Sequence, residues 1–202
     1  MPNKPLGLRE RNRIRTRDEI LVAMSVLLGE QSFESITVDE VAQRAGVSRG
    51  TIYTYFPDGR EQLIRDAYVR IAEQVVAKGS AERAAQSQVA DRVLALAGAL
   101  VSVTGTAEGR FYGLLGAATF GPLGGVTGSA SGMFHAMLTE DLHQARELGL
   151  VSPTAPVDEI AVLVSGAIRE IGARVAGDPS QAEALLDALR ITCAALLAPA
   201  DA

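Results

Sequence analysis

Thr37-Val38-Asp39-Glu40-Val41-Ala42-Gln43-Arg44-Ala45-Gly46-Val47-Ser48-Arg49-Gly50-Thr51-Ile52-Tyr53-Thr54-Tyr55-Phe56 is the stretch that decides the fold. Thr37 followed three residues later by Glu40 has the form of a capping box and predicts a helix from Val38 to Ala45. Gly46 ends it, because a residue without a Cβ enters the left-handed region at little cost. Ser48 is a second N-cap, opening a helix that stops near Phe56-Pro57. Two short helices joined by a tight glycine turn are a helix-turn-helix. Ala42 is small where the helices must approach closely, and Val41, Val47 and Ile52 form the apolar wedge between them.

The first turn of the second helix, Arg49-Gly50-Thr51, is expected to face a nucleic-acid groove. Free amides at its start favour a phosphate. Arg49 suits either a guanine edge or a phosphate, and the residues alone do not choose. Gly50 permits close backbone approach, and Thr51 offers a methyl or a hydroxyl. Tyr53 and Tyr55 point in different directions on a helix, and at least one is expected to offer its hydroxyl to a phosphate.

This pattern, a Thr-initiated helix followed by Ala-Gly-Val-Ser and a Tyr-and-Phe ending, resembles the DNA-binding signature of the TetR family. The likeness covers about residues 10–70. It implies a three-helix head, a fourth connecting helix, and a variable helical body that dimerises through its last two long helices and holds an inducer pocket. Matched position by position, it implies DNA contacts at Thr37, Ser48, Arg49, Gly50, Thr51, Tyr53, Thr54 and Tyr55, with Phe56 packed inside the head. Pro57-Asp58-Gly59-Arg60-Glu61 departs from the family by one extra residue before the basic position. That puts Arg60, also counted as a phosphate contact, in question.

Outward from the motif, the first helix is expected from about Glu10 to Gly29, with Ile14, Leu21, Met24 and Leu28 on one face. The chain is acidic overall, with a net charge of −5 over 202 residues. Yet Lys4, Arg9, Arg11, Arg13, Arg15 and Arg17 stand against Glu10 alone in residues 1–17. A basic arm on an acidic body favours one end approaching a polyanion, and Arg11 and Arg15 are taken as its contacts.

The fourth helix is expected from residue 58 to residue 78, with Gly79-Ser80 as a loose link after it. The division is thus a head at 1–57, with the arm at 1–17, and a ligand-binding and dimerisation body at 58–202. Periodic stripes predict further helices around Val89–Val103, Arg110–Phe120, Ser129–Leu148, Ile160–Val175 and Leu185–Leu196. The expected fold class is all-α, with about nine helices and no sheet.

Within the body, Leu96, Leu100, Phe111, Leu115, Phe120, Met133, Phe134 and Met137 are few-charged and apolar. They are candidates to line a pocket for a small apolar effector, with Tyr112, Thr119 or His135 orienting it. A plain hydrophobic core is the competing reading of the same residues. Ile160, Val164, Ile168, Ile171, Val175, Leu186, Leu189 and Cys193 are the expected dimer interface.

No cofactor, metal or catalytic set is expected. His135 and His143 lie two turns apart, too far to share a metal without other residues. Cys193 is alone and falls on an apolar face, where packing is the expected role. The Gly-rich segment 105–132 lacks the strand-then-helix context of a phosphate loop. With one cysteine, no apolar start and no apolar span, a cytoplasmic location is expected. The functional expectation is a ligand-responsive repressor, a homodimer on a palindromic double-stranded operator. The alternatives are a ligand-independent DNA-binding regulator, and a helical binding protein or enzyme with a vestigial head.

Overall fold

The computed structural model describes residues 7–115 and 129–197. Among them are nine α-helices and no strand: α1 (Leu8–Glu30), α2 (Val38–Ala45), α3 (Arg49–Tyr55), α4 (Arg60–Ala84), α5 (Val89–Thr104), α6 (Arg110–Leu115), α7 (Ser129–Glu147), α8 (Val157–Gly177) and α9 (Ala182–Leu196). None of these helices is long and apolar enough to cross a membrane.

The head is α1 to α3. Its core is Ile20, Leu21, Met24 and Leu27 from α1, closed by Ile36, Val41, Ile52 and Phe56, all buried. Ile14 does not join the expected stripe, being half exposed. The basic first half of α1 is largely exposed and meets α4 through Arg17 and Asp18, which pair with Asp66 and Arg70.

α4 is longer than its sequence suggested. Gly79 and Ser80 lie inside it, not in a link. A mid-helix glycine costs about 1 kcal/mol relative to alanine. Here a Cβ at residue 79 would fall 2.6 Å from the ring of Phe134, so glycine is what lets α7 seat its phenylalanine on α4. Gly29 likewise lies within α1, where the backbone carbonyl of Ala107 stands 3.3 Å from the position of a Cβ.

The body packs α4 against α5, with α8 lying across α5, α6 and α7 and α9 against α5. A buried carboxylate ties this bundle. Asp141 of α7 accepts from Arg83 of α4 through Nε at 2.7 Å and from Arg92 of α5 at 3.2 Å. Just beyond α7, Gly149 has a φ of +72° that allows the Leu150 amide to donate back to Ala145 at 2.9 Å.

Candidate nucleic-acid interface and effector cavity

The two caps read from the sequence are formed. The Thr37 amide donates to Glu40 Oε2 at 2.8 Å, and the Glu40 amide returns a bond to Thr37 Oγ1 at 3.2 Å. These bonds, the backbone one first, hold the Glu40 carboxyl below the usual range. The Thr37 hydroxyl also donates to Glu40, so a phosphate contact by that hydroxyl has to displace a capping bond. Gly46 has φ +68°, and the Val47 amide donates to Ala42 at 3.0 Å to close the turn. Ser48 Oγ accepts from the Thr51 amide at 3.0 Å, which fixes the start of α3.

On this frame α3 buries Ile52 and turns Ser48, Arg49, Gly50, Tyr53 and Thr54 outward. Arg49 sits between an anion and a ring: its NH1 donates to Asp39 Oδ2 at 2.8 Å, and its guanidinium lies 5.8 Å from the Tyr53 ring centre. Tyr53 and Asp39 together push the Arg49 pKa up, so it remains a full cation. Gly50 has open space where a Cβ would go, with only Ser48 Oγ at 3.7 Å. The protein itself therefore does not need glycine there.

Three expected contacts are placed differently. Thr54 spends its hydroxyl proton on the Gly50 carbonyl at 3.0 Å, leaving its methyl and an acceptor lone pair outward. Tyr55 is half-buried and packs on the core, so Tyr53 is the outward tyrosine of the pair. Arg60 turns inward: it donates to the carbonyls of Glu34 and Ile36 and stacks on Phe33 at 4.5 Å. The extra residue explains this. Gly59, at φ +66°, passes beneath the Tyr53 ring, with a Cβ there only 3.3 Å from Tyr53 Cε1. The chain then delivers Arg60 towards the 3-10 turn at Phe33–Ser35 instead of outward.

Arg11 and Arg15 are exposed on α1, and Arg15 lies 3.6 Å from Glu19. Arg17, counted only as part of the arm, pairs with Asp66 at 2.7 Å and covers Phe56 at 5.2 Å. Arg70 bridges Asp18 of α1 at 2.6 Å and Glu108, just before α6, at 2.9 Å. It therefore ties the head to the body. Isolated charges carry no periodicity, so the sequence gives no sign of this bridge.

The body holds a cavity of about 50 Å³ between α4, α5, α6, α7 and α8. Tyr68, Val75, Leu100, Tyr112, Phe134 and Leu138 supply most of its apolar wall. Leu100, Tyr112 and Phe134 were expected there. Leu96 and Phe111 are buried in the surrounding core, Leu115 and Met137 pack on it from outside, and Met133 is exposed. Thr119 and Phe120 lie outside the described residues. Burial pushes the Tyr112 phenol well up, helped by Tyr68, whose ring centre is 4.9 Å away. His135 Nδ1 lies 3.2 Å from Ser165 Oγ at the cavity rim, while His143 pairs with Asp158 at 3.0 Å.

The expected dimer interface is mostly interior. Val164, Ile168, Ile171, Val175, Leu189 and Cys193 are buried within their own chain, and Ile160 and Leu186 are half-buried. An apolar stripe reports that a face is covered, not by which molecule. The large apolar side chains of α8 and α9 that remain outside are Val162, Leu163 and Ile191, at 58%, 73% and 71% exposure.

Residues 20–67 match the family model described as bacterial regulatory proteins, tetR family. The head, residues 20–67, is thus similar to the DNA-binding region of the tetR family. The HTH-type transcriptional regulator AlkX of Mycobacterium tuberculosis is 37% identical over 75 residues, covering 37% of this chain and 35% of that protein. An uncharacterized HTH-type regulator of the same species is 34% identical over 61 residues, 30% of this chain and 31% of the relative. The chain thus matches about a third of the length of these curated relatives.

The fold likeness runs through the whole chain. The fatty acid degradation regulator FadR of Bacillus halodurans superposes with a TM-score of 0.74 at 17% identity, covering 94% of this chain and 96% of that one. FadR of Bacillus subtilis in complex with stearoyl-CoA gives 0.72 at 14% identity, covering 91% and 98%. A TetR regulator of Chloroflexus aurantiacus gives 0.76 at 16% identity, covering 94% and 100%. The tetR head is therefore joined to a body of the same helical fold as these proteins.

Proposed function

We propose that the chain is a cytoplasmic, ligand-responsive transcriptional repressor that binds a palindromic double-stranded operator as a homodimer. The observation that carries this is the outward face of α3. Arg49, Gly50 and Tyr53 are exposed on a helix whose ends are fixed by the Ser48 cap and the buried Phe56. A cation, a bare backbone and a phenol are the chemistry of a groove reader. Arg11 and Arg15 add a basic approach along α1.

Dimerisation is assigned to the outer faces of α8 and α9, where Val162, Leu163 and Ile191 would meet a second copy. A two-fold pair would set its α3 helices about 34–36 Å apart, one turn of duplex.

Release is assigned to the cavity. Tyr68 and Val75 on its wall belong to α4, and Leu63, Ile64 and Ala67 of that helix are buried in the same continuous core as the head. A small apolar effector that widens the cavity would move α4 and, with it, the spacing of the two heads. FadR of Bacillus subtilis, a protein of this fold, is in complex with stearoyl-CoA, which supports a ligand with an aliphatic part here. The small resting volume is what favours a second reading, a regulator that needs no ligand; release of bound operator by any small molecule discards it.

The deciding experiment is selection of bound fragments from random duplex DNA at several salt concentrations. Enrichment of a palindrome that Arg49→Ala or Tyr53→Phe loses is the expected result. Weak, salt-sensitive binding without enrichment overturns the proposal.

A further inference from the structure

The cavity wall contains one charged residue, Arg169. Its helical neighbours at three and four positions are Ser165, Gly166, Gly172 and Ala173, all small and neutral. The acid next to it, Glu170, is taken by Arg174 at 2.7 Å. Among the described residues no carboxylate lies within ion-pair distance of Arg169, whereas the other arginines of α8 and α9, Arg174 and Arg190, each hold a local acid. The Arg169 side chain runs back along α8, with NH2 only 3.9 Å from where a Cβ on Gly166 would stand. That places its head one turn towards Ser165.

The neutral polar groups of the wall are the hydroxyls of Tyr68, Tyr112, Ser131 and Ser165, the last of these near His135. The lining thus combines a largely apolar wall with one cation and four hydroxyls and supplies no acid of its own.

We infer that the cavity takes an amphiphilic anion, an aliphatic chain with a carboxylate head that pairs with Arg169. The assignment deepens the effector reading above and holds only if the cavity is the effector site. A guanidinium presents parallel N–H donors that match a carboxylate, and such charge-assisted pairs are about twice as strong as neutral hydrogen bonds. An uncharged chain of equal length fills the interior and leaves that cation with water alone. With about 50 Å³ open at rest, the aliphatic part must displace wall side chains such as Phe134.

The test uses the full chain at neutral pH and compares hexanoate with 1-hexanol, and decanoate with 1-decanol, by titration calorimetry below the micelle concentration. Each acid is expected to bind at least about tenfold more tightly than its alcohol. Arg169→Gln should erase that ratio while leaving alcohol binding in place, and Arg169→Lys should restore part of it. Arg169 is exposed, so both variants are expected to fold, which circular dichroism checks. Equal binding of acid and alcohol, or a preference that survives Arg169→Gln, overturns the anion assignment and leaves the cavity reading standing. Failure of all four probes to bind overturns both.

Discussion

Arg49 and Asp39 join the two helices of the helix-turn-helix across 2.8 Å, so the residue best placed to read DNA is held by a carboxylate of its own head. Both side chains are more than half exposed, and an exposed pair of this kind is weak because solvent screens it. DNA therefore has little to overcome in taking Arg49 from Asp39. Asp39→Asn should raise operator affinity roughly fivefold, by freeing Arg49 and removing a negative charge near phosphate. Arg49→Ala should abolish selectivity in either background. Fluorescence anisotropy on the selected operator measures both, and selectivity that survives Arg49→Ala would show that Arg49 is not a contact.

Gly50 tests whether α3 enters a groove. Since a Cβ there meets nothing closer than 3.7 Å, Gly50→Gln should leave the melting temperature within a few degrees of wild type or raise it, as the better helix former. Operator binding should nevertheless fall by at least about a hundredfold, because the added side chain occupies the space the duplex needs. Retention of binding would place the duplex on another face.

The capping box sets an acid limit. The Glu40 carboxyl is held low by the Thr37 backbone amide and hydroxyl, and Glu30 is held low by its side-chain bond to Arg44. Groups lowered in the folded state stabilise it above the unfolded value, about 4.3 for Glu, and lose that contribution as pH falls through the lowered folded value. Glu40→Gln keeps the shape of the cap but cannot titrate. Its stability should therefore fall less steeply than wild type between neutral pH and the acid range, as followed by thermal melts; parallel profiles would refute the assignment.

Asp141 is fully buried between Arg83 and Arg92, which are 18% and 21% exposed. Removing this carboxylate leaves Arg92 without its acid and Arg83 with the exposed Glu140 alone. Asp141→Ala should cost about 3 kcal/mol, or roughly 9 °C in Tm for a chain of this size. Calorimetric melting checks it, and a loss below about 1 kcal/mol would mean that water compensates both arginines.

Gly79 controls Phe134. A Cβ 2.6 and 2.9 Å from two ring atoms cannot be accommodated without movement, and Phe134 already forms part of the cavity wall. Gly79→Ala should push the ring into the cavity, cost about 1–3 kcal/mol through overpacking, and weaken uptake of an environment-sensitive apolar dye at least about tenfold. Lost stability with unchanged dye uptake would mean the ring moves outward.

What the residues determined by themselves is local. The Thr37–Glu40 cap, the positive φ of Gly46, the Ser48 cap and the helical periods all depend on neighbours within a few positions. They fixed nine described helices and the outward turn of α3 before any packing was known. Breakers were less decisive: Gly79 and Gly29 read as helix ends, but close approach of Phe134 and Ala107 keeps both inside helices. Only the tertiary structure decided who covers each apolar stripe, which is why Val164, Ile168 and Ile171 proved interior and Val162, Leu163 and Ile191 outer. It also decided the partners of isolated charges, turning Arg60 inward, setting Arg70 between Asp18 and Glu108, and leaving Arg169 at the cavity without an acid among the described residues. Periodicity records that a side chain is buried or solvated, whereas a long-range contact depends on where the rest of the chain returns.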